Sequence, residues 1–298
     1  MTTTHAHTTT PPLPAASARS LLLTVLGEFV YPDNEPVWTS VLVRALAGLG
    51  VEERAARQAI ARSAAAGWVD SERRGRAVRW TLADHGRRVI EDGQDRIAQF
   101  FDCSKSWDRR WLVLLVTIPQ SERTTRKRLY GGLAWLGMGS PTPGVWVSPH
   151  VGAVDQLRAL VNRFGLTGSA MTFVGSNQDV GLTDQQIVDQ SWDLDYLAQR
   201  YQLLLEQYGD PQPISGSAVL WRHLELRNLV QRFLRLDPRL PEELLSNWVG
   251  HRAAALFRTR NEELLPAARV GWMRLVQDVR PVDSRASGRA EDPTALGS

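Results

Sequence analysis

The stretch from Trp38 to Leu82 constrains this chain more than any other. Apolar spacing predicts a helix over Trp38–Leu46, and Gly48-Leu49-Gly50 then allows a tight turn. A second helix is expected over Glu52–Ala66, ended by Gly67. Upstream, Leu21, Leu22, Val25, Leu26 and Phe29 line one face of an earlier helix. Downstream, Trp68–Ser71 and Val78–Leu82 read as two short strands around an arginine-rich glycine turn, Glu72–Ala77. Three helices followed by a hairpin is the grammar of a winged helix-turn-helix.

The helix after the glycine turn has two chemically distinct faces. At about 100° per residue, Ala56, Ala59, Ile60 and Ser63 share one side, small enough for close packing. Arg54, Arg57, Gln58 and Ala61 share the other. Arginine and glutamine make paired hydrogen bonds to guanine and adenine edges, and Ala61 leaves room for a groove. Arg62 lies at the rim of this face, where a phosphate contact is expected. Arg73, Arg74 and Arg76 at the hairpin tip are placed to follow a phosphate backbone or enter a minor groove. The charge is local: residues 54–88 hold nine arginines against three acids, while the whole chain carries only +3. The competing interpretation is an arginine-rich solvated helix beside an ordinary hairpin. The conjunction of basic helix face and basic wing favours a duplex-binding surface.

The rest of the chain reads as two further blocks. From about 107 to 178, strands are expected at Trp111–Ile118, Val145–Val147 and Met171–Val174, with helices at Ser121–Leu136 and Val151–Phe164. Ser121 is the expected cap of the first helix, and Gly137–Gly144 is read as a loop. This order fits a small ferredoxin-like sheet with one strand unplaced. From 184 to 279 the pattern is helical, interrupted at Pro238 and Pro241. The fold class is therefore α+β: a winged helix-turn-helix over 18–101, a ferredoxin-like domain over 107–178 and an all-helical domain over 184–279. A disordered arm over 1–17 and a disordered tail over 280–298 are expected.

Other signals exclude function classes. The lone cysteine, Cys103, forbids an intrachain disulfide or a thiolate zinc cluster and fits a cytoplasmic protein. The apolar runs are far shorter than the about 20 residues a membrane helix needs. Phosphate-loop, dinucleotide, nucleophile-elbow and zinc-protease motifs are absent, and the six histidines are scattered, so no enzyme, metal or bound cofactor is expected.

Several stretches carry a family resemblance. They include Glu53-Arg54-Ala55-Ala56-Arg57-Gln58-Ala59 and Gly67-Trp68, then Trp107-Asp108-Arg109-Arg110-Trp111 and Leu133-Ala134-Trp135-Leu136-Gly137. Arg19-Ser20-Leu21, Gly27-Glu28, Val37-Trp38, Pro143 to Pro149, Ser191-Trp192-Asp193-Leu194, Arg235 to Pro241, Trp248 and Gly250-His251-Arg252-Ala253 complete the set. Together they resemble the PaaX family, repressors of phenylacetic-acid catabolism and their relatives. The resemblance implies a Cas2-like central domain and a homodimer on palindromic operator DNA. It also implies release from the operator by a CoA thioester, phenylacetyl-CoA or another acyl-CoA. A thioester needs cations for its phosphates and an apolar slot; His223, His251 and Arg252 are the candidates for that site. Trp192 and Trp248 are read as core or interface anchors. Cas2-type nucleases carry an aspartate at the end of the first strand. Val116-Thr117-Ile118-Pro119 offers none, so the central domain is expected to be structural or dimer-forming. The alternatives are an acyl-CoA-responsive, thioesterase-like enzyme and a scaffold that uses the wing for protein contact.

Overall fold

A computed structural model describes residues 16–101, 106–119, 121–178, 180–210, 216 and 218–279. Nearly all of the expected arm, the whole of the expected tail and Cys103 lie outside the described residues. The described residues divide into two compact units, one of residues 17–88 with 267–279, the other of residues from 89 to 266.

The first unit begins with α1, Ala18–Val25, whose N-terminus is capped by the Ser17 side chain accepting from the Ser20 amide. The helix then widens to a π-helical turn over Leu26–Val30, where the Tyr31 amide donates to the Leu26 carbonyl. A two-residue strand β1, Val37–Trp38, leads into α2, Thr39–Ala47, and α3, Glu53–Ala65, follows. Gly67, in the left-handed region at φ 70°, ends that helix as expected. The hairpin strands β2, Val69–Arg74, and β3, Ala77–Leu82, join β1 in an antiparallel sheet of order β1-β3-β2. β1 escaped the sequence reading because two residues carry no periodicity. Leu22, Val25, Leu42, Leu46, Ala56, Ala59 and Ile60 are buried in this unit. The last stretch of the chain completes it: Trp272 stacks on Phe29 at 5.0 Å and 11°, and the Ser40 hydroxyl donates to the Val279 carbonyl. By sequence, residues 267–279 were assigned to the helical domain.

A long helix α4, Asp84–Phe101, opens in the first unit and continues into the second. Gly86 lies against the Trp68 backbone so closely that a Cβ would sit 2.0 Å from the Trp68 carbonyl oxygen.

The second unit contains the ferredoxin-like sheet. It runs β4 (Trp111–Val116), α5 (Arg123–Trp135), β5 (Gly139–Thr142), β6 (Val145–Ser148), α6 (Val154–Arg163) and β7 (Ala170–Gly175). The sheet order β5-β6-β4-β7 is antiparallel throughout, the arrangement of a split β-α-β pair. β5 is the unplaced strand. Its Gly-Ser-Pro-Thr sequence reads as a loop, but an edge strand tolerates Pro141. Glu122, not Ser121, precedes the first turn of α5, and no side chain caps it. Leu112, Leu114 and Val116 point to the helices and pack with Leu129, Leu133, Leu157 and Val161. Their strand neighbours point the other way, as alternation requires. Trp111 and Val147 meet Val188, Leu240 and Leu244 on that face.

Four helices follow: α7 (Asp184–Ser191), α8 (Leu194–Tyr208), α9 (Ala218–Phe233) and α10 (Val249–Val279). A Thr183–Gln186 capping box starts α7. Leu197, Tyr201, Leu204, Leu226, Val230, Phe233 and Phe257 form the helical core. Residues 234–248 are irregular, so the helical reading of 184–279 holds only in pieces, with Pro238 and Pro241 inside the break.

Candidate nucleic-acid interface and ligand cleft

α3 is amphipathic in the expected sense. Ala56, Ala59, Ile60 and Ser63 are buried against α1 and α2. Arg54, Arg57, Gln58, Ala61 and Arg62 are all exposed. Small buried residues bring α3 close to its neighbours, which leaves its long polar side chains projecting. Arg57 is not a free cation: its guanidinium pairs with Glu53, one helical turn earlier, at 2.7 Å. Both side chains are exposed, so the pair is worth only about 0.3–0.5 kcal/mol and yields readily to a better acceptor.

The wing differs from its expected form. The strands run through Arg74 and resume at Ala77, so only Gly75 and Arg76 form the turn. Arg73 faces Val78 and Arg74 faces Ala77 across the hairpin. Successive strand residues point to opposite sides, so Arg73 and Arg74 present their charges on different faces. Arg74 shares its face with Glu72, which it meets at 2.5 Å, and Glu72 also meets Arg79 at 2.8 Å. The Arg79 hydrogen bond, followed by the Arg74 charge, holds the Glu72 carboxyl below its usual range. Arg73 and Arg76 are exposed. The base of the wing is tied to α2: Trp80 Nε1 donates to Thr39 Oγ1 at 2.8 Å, and Thr39 Oγ1 donates to the Val78 carbonyl at 3.1 Å.

The second unit contains a cleft of about 720 Å³. Its lining includes Arg96, Trp107, Trp135, His150, Arg239 and His251. Of the three ligand residues chosen from sequence, only His251 lines it, paired with Glu242 at 3.3 Å. His223 is fully buried in α9 and does not reach the cleft. Its place was readable: Leu220, Leu224 and Leu226 around it mark the core face of that helix. Arg252 is exposed and outside the lining. Trp192 packs on Trp111, and Trp248 donates to Asp237.

Asp237 organises one wall. It is buried, and it accepts from the Tyr201 hydroxyl at 2.7 Å, from Trp248 Nε1 at 3.3 Å and from the Arg239 amide at 2.6 Å. Those bonds hold Arg239 in the left-handed backbone region at φ 55°, which a non-glycine residue adopts only when its surroundings impose it. The motif Arg235 to Pro241 thus encodes a rigid, cation-bearing corner. Nothing local marks Arg96 as its partner, because that residue comes from α4.

Three family descriptions match the chain in order: "PaaX-like protein" over residues 17–86, "PaaX protein central Cas2-like domain" over 104–188 and "PaaX-like protein C-terminal domain" over 192–274. The chain belongs to the PaaX family. This places it among PaaX-like transcriptional regulators, which as a family are non-enzymatic repressors. Among relatives, the Transcriptional repressor PaaX of Escherichia coli (strain K12) is 26% identical over 264 residues, covering 85% of this chain and 82% of that protein. The fold is shared with the uncharacterized protein Rv0674 from Mycobacterium tuberculosis at a TM-score of 0.57 and 20% identity, over 87% of this chain and 98% of that one. Among the described residues, no helix is long and apolar enough to cross a membrane.

Proposed function

We propose that this PaaX-family chain is a sequence-specific repressor of a catabolic operon. It binds operator DNA as a cytoplasmic homodimer and is released by an aryl- or acyl-CoA thioester. The observation that carries the DNA-binding part is the outer face of α3, where Arg54, Arg57 and Gln58 are exposed while the opposite face is buried. Arg54, Arg57 and Gln58 read base edges, whereas Arg62 and the wing residues Arg73, Arg74 and Arg76 meet phosphates. A two-fold dimer matches a palindromic site. The relative in Escherichia coli is a transcriptional repressor by name, which supports repression here.

The test is a mobility-shift titration with DNA upstream of the chain's own gene, with and without phenylacetyl-CoA and a panel of other acyl-CoA thioesters. Specific retardation at nanomolar protein, relieved by one thioester, is the expected result. Equal affinity for unrelated DNA of the same length would refute sequence-specific repression.

A further inference from the structure

Two guanidinium groups flank the Trp135 indole beside the cleft in the second unit, and a third lines the cleft itself. Arg96 lies over the Trp135 indole, its Cζ 3.8 Å from the ring centroid. Arg235 approaches the same ring at 5.7 Å. Arg239 lines the cleft from the strained turn that Asp237 holds. Such a gathering of like charge is unfavourable unless something offsets it.

For Arg96 the offsets fall short. Arg96 donates one hydrogen bond, to the Leu234 carbonyl at 3.2 Å, and its Nε is buried without a partner. Burial, then the charges of Arg239 and Arg235, push its pKa down to about 10, with no acid pulling it back. The carboxylates in the lining have other partners or stand elsewhere. Asp237 accepts from Tyr201, Trp248 and the Arg239 amide, and its charge favours the Arg239 cation, not that of Arg96. Asp108 is held by Arg110 at 2.7 Å, and Glu242 by His251. Asp92 and Asp95 on α4 are exposed. Among the described residues, no carboxylate forms an ion pair with Arg96 or Arg235.

We propose that Arg96 and Arg239 in the lining, with Arg235 beside the Trp135 ring, form an anion-binding subsite that takes the phosphate or carboxylate oxygens of an organic ligand. Planar guanidinium groups suit such oxygens because they donate in pairs. The indoles of Trp107 and Trp248 in the same lining give the ligand's apolar part a surface. An arriving anion would relieve the mutual repulsion. The subsite deepens the reading of the chain as an effector-released regulator and rests on it for the existence of a ligand.

The test uses the full chain and three probes: phenylacetyl-CoA, CoA alone and phenylacetate. Binding is followed by calorimetric titration, and operator release by mobility shift. Arg96→Gln and the exposed Arg235→Gln should each weaken the bound probe by about 10- to 100-fold. Arg252→Gln, outside the lining, should change nothing. Arg235→Gln keeps the test alive if Arg96→Gln fails to fold, which circular dichroism reports. Sensitivity of CoA to these substitutions identifies phosphate as the group held; sensitivity of phenylacetate identifies a carboxylate. Wild-type binding and release that survive both substitutions would overturn the subsite and leave the thioester reading standing. If the thioester neither binds nor releases DNA, while phenylacetate binding is lost in the variants, the subsite stands and the thioester reading fails. Failure of all three probes to bind the wild-type chain would also overturn the subsite.

Discussion

Trp272→Ala should unfold the DNA-binding unit at markedly lower temperature, although Trp272 lies far from it in sequence. The Trp272 ring stacks on Phe29 at 5.0 Å and 11°, and Phe29 is only 8% exposed. Truncating a fully buried tryptophan costs about 3–5 kcal/mol. Trp272 is half-buried, which lowers that cost, while the lost stack adds about 0.5–1.5 kcal/mol. The net expectation is about 2–3 kcal/mol. In a unit this small, each kcal/mol shifts the midpoint by about 4–8 °C, so a drop of about 10–20 °C is expected. Differential scanning calorimetry on the full chain measures it. Amide exchange localises it: protection should fall in α1 and α2 and stay unchanged in the ferredoxin-like sheet. Trp272→Phe, which keeps a stacked ring, should recover most of the loss. Unchanged protection in residues 17–88 would refute the reasoning, because Phe29 would then need no cover from the chain's end.

Four further outcomes are expected. Arg57→Ala should weaken specific operator binding by about 1–3 kcal/mol with little change in affinity for random DNA; an unchanged footprint removes Arg57 from the base-reading face. Arg74→Ala should weaken binding to all duplexes alike and flatten the dependence of log K on log salt by about one unit, measured by fluorescence anisotropy across a salt series. Glu72 is held ionised by Arg79 and Arg74, so its pairing stabilises the wing above the ordinary glutamate range near about 4.3 and is lost as pH falls through its lowered value; a carboxyl NMR titration reads this directly, and Glu72→Gln should raise non-specific affinity by freeing both arginines. Gly86→Ala forces a Cβ to within 2.0 Å of a backbone oxygen that has no flexible end to move aside, so it should cost about 3 kcal/mol in urea denaturation.

α3 was legible because its two faces differ in kind. Ala56, Ala59, Ile60 and Ser63 repeat at helical spacing, and the structure buries all four. The wing was legible as an element but not in its register. Arg73 and Arg74 look like turn residues in an arginine-rich run, yet cross-strand pairing carries the ladder up to them. β5 was hidden because glycine and proline dominate it, and edge position, which excuses them, is not a local property. The cleft was the least legible feature. Arg96 and the Leu234 carbonyl it bonds stand 138 positions apart, so only tertiary packing joins them. Of the histidines read as ligand residues, His251 lines the cleft, whereas the apolar neighbours of His223 already placed it in the core.

The closure of the first unit by the end of α10 has a consequence for biosynthesis. Ser40 and Val279, which share a hydrogen bond, are separated by 239 positions. At about 5–20 residues per second, the ribosome exposes Phe29 on the order of ten seconds or more before Trp272 exists to cover it. A nascent chain therefore completes α1, α2, α3 and the wing well before the residues that cover Phe29 and bond Ser40 are made.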